Sequence, residues 1–227
     1  VIKSSHPLRY LLSISIAALA FAACARADAP LDLANYPAPI KVACVGDSIT
    51  AGAGASGGHA YPDQLQALLG SKWVVKNFGV GGRTLLRKGD APWWNEQAYK
   101  DAHDLNPDAV VIMLGTNDTK PQNWVHESEF YGDYKDLIES FKALPSKPHI
   151  WIMRPCPVPE PGNYGINQKN MDVLLPLIDK LAADENVGEI DIYAALKDHP
   201  DMLPDHVHPN DAGAGIMAQT VAHAIAK

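Results

Sequence analysis

"IKVACVGDSIT", residues 40–50, begins as a run of small and β-branched apolar side chains and ends on a glycine, an acid and a serine. Pro39 and Gly46 bound the apolar part, so residues 40–46 read as a buried strand. "AGAGASGG", residues 51–58, follows at once. Two functions share this outline. A glycine-rich loop after a first strand can cradle a phosphate on its N–H groups. A serine on the turn after a strand can be an exposed nucleophile. The rest of the chain has to decide between them.

Four more strands are predicted downstream: "WVVKNFG" (73–79), "DAVVIMLG" (108–115), "HIWIMRP" (149–155) and "VGEIDIY" (187–193). Helices are predicted between them. "YPDQLQALLG" (61–70) carries a proline in its first turn and a glycine at its stop. In residues 126–144, Phe130, Tyr134, Leu137, Ile138, Phe141 and Leu144 share one face. In residues 167–185, Met171, Leu174, Leu175, Ile178 and Leu181 do the same, with a kink expected at Pro176. A last helix follows "HPND", with Met217, Val221 and Ala224 inward. The glycines of residues 52–58 are expected to delay the first helix to about Tyr61 and to leave a flexible segment at the mouth of a cleft.

Strands alternating with helices make βαβ units and a parallel sheet. The expected architecture is a flavodoxin-like α/β/α sandwich with five parallel strands in the order 2-1-3-4-5. In such a sheet ligands lie beyond the carboxyl ends of strands 1 and 3, where the winding reverses. The chemically capable residues fall at those ends. Strand 1 ends in Ser48, strand 3 in Asn117 and strand 2 near Gly79. Asp205 and His208 stand on the loop before the last helix.

A serine hydroxyl needs an adjacent base, and His208 can take its proton. Asp205 can fix the imidazole tautomer and support the imidazolium. The oxyanion of an acyl-transfer intermediate needs donors. Candidates are the Ser48 N–H, the Gly79 N–H and the Asn117 amide. Asp47 and Asp118 read as structural hydrogen-bonders, and His206 is the local rival to His208.

"GDSIT", "NFGVGG", "GTND" and "DHVH", in this order, resemble the blocks of the SGNH hydrolases, the GDSL-type esterases and lipases. The likeness runs from about Lys41 to the end of the chain. It implies a catalytic Ser48, an oxyanion Gly79 and Asn117, and the pair Asp205 and His208. Ile49 replaces the family's usual leucine. The chain is also similar to secreted bacterial sialate or xylan O-acetylesterases, which implies acetyl esters of carbohydrates as substrate.

Loop aromatics and basic residues suit a glycan. Trp93, Trp94, Trp124 and Tyr164 are candidates for stacking on sugar, Arg83 and Arg154 for holding a carboxylate or hydroxyls, and His59 for the cleft entrance. No long apolar lid suited to a long-chain lipase is evident. A lysophospholipase or thioesterase, and a glycan-binding relative without activity, are the alternatives. The phosphate-cradle reading fails because the segment lacks G-x-x-x-x-G-K-[ST] and a phosphate-reaching lysine.

Residues 1–27 read as a secretory signal. Lys3 and Arg9 precede the apolar run "YLLSISIAALAFAA", and "ARA" has the form of a cleavage site. Lipidation at Cys24 is the rival reading. A lead-in over 28–39 and a catalytic domain over 40–227 follow, in a secreted or periplasmic protein not inserted in a membrane. Without Lys3, Arg9 and Arg26, 16 basic residues face 26 acidic ones. That balance disfavours nucleic acid as a partner. Cys44 and Cys156 are expected as buried small apolar residues with one strand between them. The nine histidines show no HExxH spacing, and no metal or other cofactor is expected.

Overall fold

In the first strand the side chains alternate between two apolar layers. Ala43 and Val45 point to one face of the sheet, and Val42 and Cys44 to the other. A strand buried on both faces belongs to a parallel sheet covered by helices on each side. The computed structural model, which describes residues 29–226, has that form. The signal sequence expected at 1–27, with Cys24, lies outside the described residues.

Five parallel strands, β1 (Ile40–Gly46), β2 (Trp73–Gly79), β3 (Ala109–Met113), β4 (His149–Arg154) and β5 (Gly188–Asp191), pair in the order 2-1-3-4-5. The register sets Gly46 of β1 beside Gly79 of β2 and Met113 of β3, so the three strands end level. The helices are α1 (Ser48–Ala51), α2 (Tyr61–Leu69), α3 (Gln97–Asp104), α4 (Pro121–Trp124), α5 (Glu127–Lys142), α6 (Gln168–Glu185), α7 (Ile192–Leu196) and α8 (Asp211–Ile225). The core with α3, α5 and α6 lies on one face, and that with α2, α7 and α8 on the other. This is the flavodoxin-like sandwich expected from the sequence.

Local signals explain the elements. Helix α5 has Glu127 and Glu129 in its first turn and Lys142 in its last, matching the helix dipole. Its inward residues, Phe130, Tyr134, Leu137, Ile138 and Phe141, are all buried. Helix α6 starts at Asn167, whose side chain accepts from Asn170 N, and runs as a single helix through Pro176. Glu185 at its end is buried against Lys135 and Lys142 of α5. Burial pushes the Glu185 carboxyl up, but hydrogen bonds from the two ammonium groups outweigh this and hold it at about 2.

Several boundaries differ from expectation, each for a local reason. The first helix begins at Ser48 and not at Tyr61, because the Asp47 side chain accepts from Ile49 N at 2.9 Å and caps a single turn there. Strand β5 stops at Asp191, which likewise caps α7 through Ala194 N at 2.8 Å. Helix α3 has no counterpart in the sequence reading, since only Ala102 of its eight residues is buried and the apolar period is faint. Residues 30–39 are tied to the far end of the chain by Leu31 N donating to Ile225 O at 3.0 Å. Cys44 and Cys156 are free, buried thiols. No helix among the described residues is long and apolar enough to cross a membrane.

Candidate active site

The sheet's architecture brings four separate segments to one end. Ser48 is the first residue of α1, directly beyond β1, and Asn117 follows β3 in a 3-10 turn. Both stand at the point where the strand order reverses. Asp205 and His208 come from the loop before α8, whose start is fixed by Asn210 accepting from Gly213 N at 3.1 Å.

The three residues Ser48, His208 and Asp205 form an unbroken hydrogen-bonded chain. Ser48 Oγ lies 2.9 Å from His208 Nε2, and His208 Nδ1 lies 2.7 Å from Asp205 Oδ2. An ionised carboxylate only accepts, so Nδ1 carries the proton and leaves Nε2 as the acceptor for the serine hydroxyl. The other carboxylate oxygen, Oδ1, accepts from Val207 N at 3.0 Å and His208 N at 2.7 Å. Burial pushes Asp205 up, but the hydrogen bonds from His208 and Val207 outweigh it and leave the carboxyl below its ordinary range. It is therefore ionised at neutral pH and locked in orientation.

Ser48, Ala53, Gly82, Asn117, Lys120, Tyr164, Ile166 and His208 line a cavity of about 340 Å³. Ser48 N and Gly82 N have no hydrogen-bond partner among the described residues. Asn117 Nδ2 donates to Arg83 O at 3.1 Å, while Asp47 Oδ2 lies 3.4 Å away, at the long limit of a hydrogen bond. One amide hydrogen is thus engaged and the other only weakly held.

Gly79 does not face this cavity. Its N–H donates to Asn77 Oδ1 at 2.9 Å, and its Cα is pressed against α1. A Cβ there would stand 2.2 Å from Ala51 N. The glycine of "NFGVGG" that reaches the cavity is Gly82, three residues further on.

The substrate contacts expected from loop aromatics are largely overturned. Trp93 is fully buried, donates from Nε1 to Phe78 O at 3.0 Å and packs edge-on to Tyr99. Trp124 is buried against Phe130. Trp94 donates to Leu85 O, with the Arg87 guanidinium 4.0 Å over its ring. Loops that cross the end of a sheet close its core, and large indoles are the side chains that do so most effectively. Arg83 pairs with Glu96 at 2.7 Å and serves the site through its carbonyl instead. Arg154 is held by Asp179 at 2.8 Å beside Asp191. Tyr164 alone of this set lines the cavity, with Oη 3.2 Å from Asp205 Oδ2.

His59 is not at the cavity either. Its Nδ1 bonds to Ser56 Oγ at 3.0 Å, and Ser56 is bound through N and Oγ to the Asp211 carboxylate. Gly54, at φ +89°, lies so close to the Asp205–His208 loop that a Cβ would meet His208 Cβ at 2.7 Å. The glycine at 54 therefore lets this segment pack behind His208. Lys120 and Ile166 carry no motif in the sequence, and only the fold reveals them as cavity walls.

Asp47 and Asp118 lie buried beneath the site. Asp118 accepts from Leu85 N at 3.0 Å and Leu86 N at 2.7 Å, which fixes the segment following Gly82. Burial pushes Asp47 up to about 6 and Asp118 to about 7, outweighing those hydrogen bonds. Between the unfolded carboxylate value near 4 and pH 7, the folded protein keeps a proton at Asp118 that the unfolded chain has lost. Stability from this group therefore falls as pH rises through that window. Urea unfolding at pH 5 and pH 8 should show a larger loss of stability in the wild type than in Asp118→Asn. Equal losses would contradict the burial argument. Among the described residues no group of three His, Cys, Asp or Glu side chains is arranged to hold a metal.

A strand-1 serine, a histidine–carboxylate pair and a small cavity at the switch point define the architecture of a serine-type hydrolase. Residues 44–216 match the model of the GDSL-like Lipase/Acylhydrolase family. The chain belongs to that family, whose class is that of the carboxylic ester hydrolases. It is 40% identical over 223 residues to an acetylxylan esterase of Xylanibacter ruminicola (strain ATCC 19189), a match covering 86% of this chain. The chain spans about half (46%) of that relative's length. Among solved structures, the acetyl xylan esterase AlAXEase superposes with a TM-score of 0.67 at 25% identity, over 82% of this chain and all of the other. A carbohydrate acetylesterase family member from Sinorhizobium meliloti shares the fold with a TM-score of 0.67 at 24% identity, over 80% and 95% of the two chains.

Proposed function

We propose that this protein is a serine esterase that removes acetyl groups from carbohydrate, through an acyl-enzyme on Ser48. The observation that carries the reading is the hydrogen-bonded chain from Ser48 Oγ to His208 to Asp205, opening on a cavity of about 340 Å³. That volume lies near the small end for ligand pockets and suits a short acyl group. The 40% identity to an acetylxylan esterase supports an acetylated polysaccharide as substrate.

The reaction has two halves. His208 Nε2 takes the Ser48 proton as Oγ attacks the ester carbonyl. The oxyanion is met by Ser48 N–H, Gly82 N–H and the more weakly held hydrogen of Asn117 Nδ2. His208 then gives its proton to the departing sugar hydroxyl, leaving an acetyl group on Ser48. In the second half His208 takes a proton from water, which attacks the acetyl carbonyl. The proton returns to Ser48 Oγ and acetate departs. Asp205 stays ionised throughout and stabilises the imidazolium. A secreted or periplasmic location, read from the sequence pattern of residues 1–27, would suit a polymeric substrate.

Acetate release from acetylated xylan, acetylated sialic acids, chitin fragments and pectin tests the reading. Acetylated xylan should be the best substrate. Failure to release acetate from any of the four, together with preference for long acyl chains, would move the reading to a lipase or thioesterase.

A further inference from the structure

Residues 157–166 cross beside the Asp205–His208 loop and are fastened to it at three places. Asn163 Nδ2 donates to Asp205 O at 3.0 Å, and Tyr164 Oη to Asp205 Oδ2 at 3.2 Å. His206 Nδ1 donates to Pro159 O at 3.1 Å. Tyr164 is held at φ +53°, a left-handed conformation uncommon for a bulky side chain. That backbone turn carries the ring over the cavity, 5.6 Å from the His208 imidazole and tilted by 57°. The residue stays 57% exposed although it is hydrogen-bonded to the half-buried Asp205–His208 pair. Its other end shares the very oxygen that accepts His208 Nδ1. The Asp205 carboxylate raises the Tyr164 phenol, which keeps it a donor.

Resting on the esterase reading above, we propose that Tyr164 is a positioning residue for Asp205 through its hydroxyl and, through its exposed ring, the platform on which the sugar carrying the ester lies. A flat apolar face beside the cavity matches the face of a pyranose ring. The hydroxyl holds Oδ2 in line with Nδ1 and draws negative charge from it. One side chain thereby links recognition of the sugar to the hydrogen bond that orients His208.

The sign of its removal follows. In Tyr164→Phe, Asp205 Oδ2 loses a donor and accepts the His208 Nδ1 proton more strongly. The other charged groups around the pair are Asp47 below, Lys120 across the cavity, and Asp211 with His59 behind the loop. None of these is altered by the substitution, and His206 keeps its bond to Pro159.

Two measurements on the whole protein test the proposal. The first follows the His208 Nδ1 proton by NMR, which needs no substrate. Its resonance should lie further downfield in Tyr164→Phe than in the wild type, as the hydrogen bond to Asp205 strengthens. The second compares KM for an acetylated xylo-oligosaccharide with KM for p-nitrophenyl acetate. Tyr164→Ala should raise the first by about tenfold, the size of one aromatic contact, and the second by clearly less. Tyr164→Phe should leave the oligosaccharide KM near the wild-type value. An unmoved Nδ1 resonance, or an equal KM effect on both substrates, overturns the proposal. A wild-type protein inactive on both esters would instead defeat the esterase reading, and the NMR comparison would still decide the role of the hydroxyl.

Discussion

Ser48→Ala is expected to lower turnover of p-nitrophenyl acetate by about 10⁴-fold or more and to leave the fold unchanged. The two halves of that expectation have separate grounds. The Ser48 hydroxyl makes one hydrogen bond, to His208 Nε2, and no structural one among the described residues. Alanine is a good helix former, so the single turn of α1 retains its cap from Asp47. What remains in the variant is the oxyanion cradle and the histidine, which cannot form an acyl-enzyme by themselves. Turnover and loss of labelling by a fluorophosphonate check the first half, and the thermal midpoint checks the second. Wild-type turnover in the variant would sink the serine assignment.

Gly79→Ala is expected to damage both stability and activity, although Gly79 does not line the cavity. The added Cβ would sit 2.2 Å from Ala51 N and 2.6 Å from Thr50 C, both backbone atoms of the turn that begins at Ser48. Backbone cannot step aside as a flexible side chain does, so β2 and α1 must separate. Overpacking of this kind costs about 1–3 kcal/mol, which for a domain of this size lowers the thermal midpoint by roughly 2–12 °C. The same displacement moves the nucleophile, and a shift of about 1 Å costs on the order of 100-fold in rate. Calorimetry and kcat on p-nitrophenyl acetate measure the two effects. A variant with normal stability and a selective loss of kcat would return Gly79 to the oxyanion cradle.

These two positions also show what the sequence can reveal and what it cannot. The strand order, both layers and the convergence of Ser48, Asn117, Asp205 and His208 were legible, because each rests on periodicity or on a rule of parallel sheets. The choice among the glycines of "NFGVGG" was not. It depends on which N–H is already taken, and Asn77 Oδ1 takes that of Gly79. Burial of Trp93 and Trp124 was hidden for a similar reason. A loop segment without periodicity gives no sign of whether it lies over a core or faces solvent. The run after Ser48 reaches the cavity through Ala53, while Gly54 packs against His208 and Ser56 is bound to Asp211, contacts that no periodicity in the sequence signals. Tyr164 could be named from sequence as a loop aromatic, but its hydroxyl contact with Asp205 required the fold.

The two thiols in the described region carry a consequence for how the protein is handled by a cell. Cys44 lies inside β1, Cys156 lies just beyond β4, and β3 runs between those strands. They cannot meet without dismantling the sheet. Burial pushes the Cys44 thiol up to about 12 and raises that of Cys156 as well, so neither offers thiolate to an oxidant or to an alkylating reagent. Folding of the described region therefore needs no oxidative machinery and tolerates its presence. The described region can keep this fold in a reducing or an oxidising compartment, with both thiols unpaired.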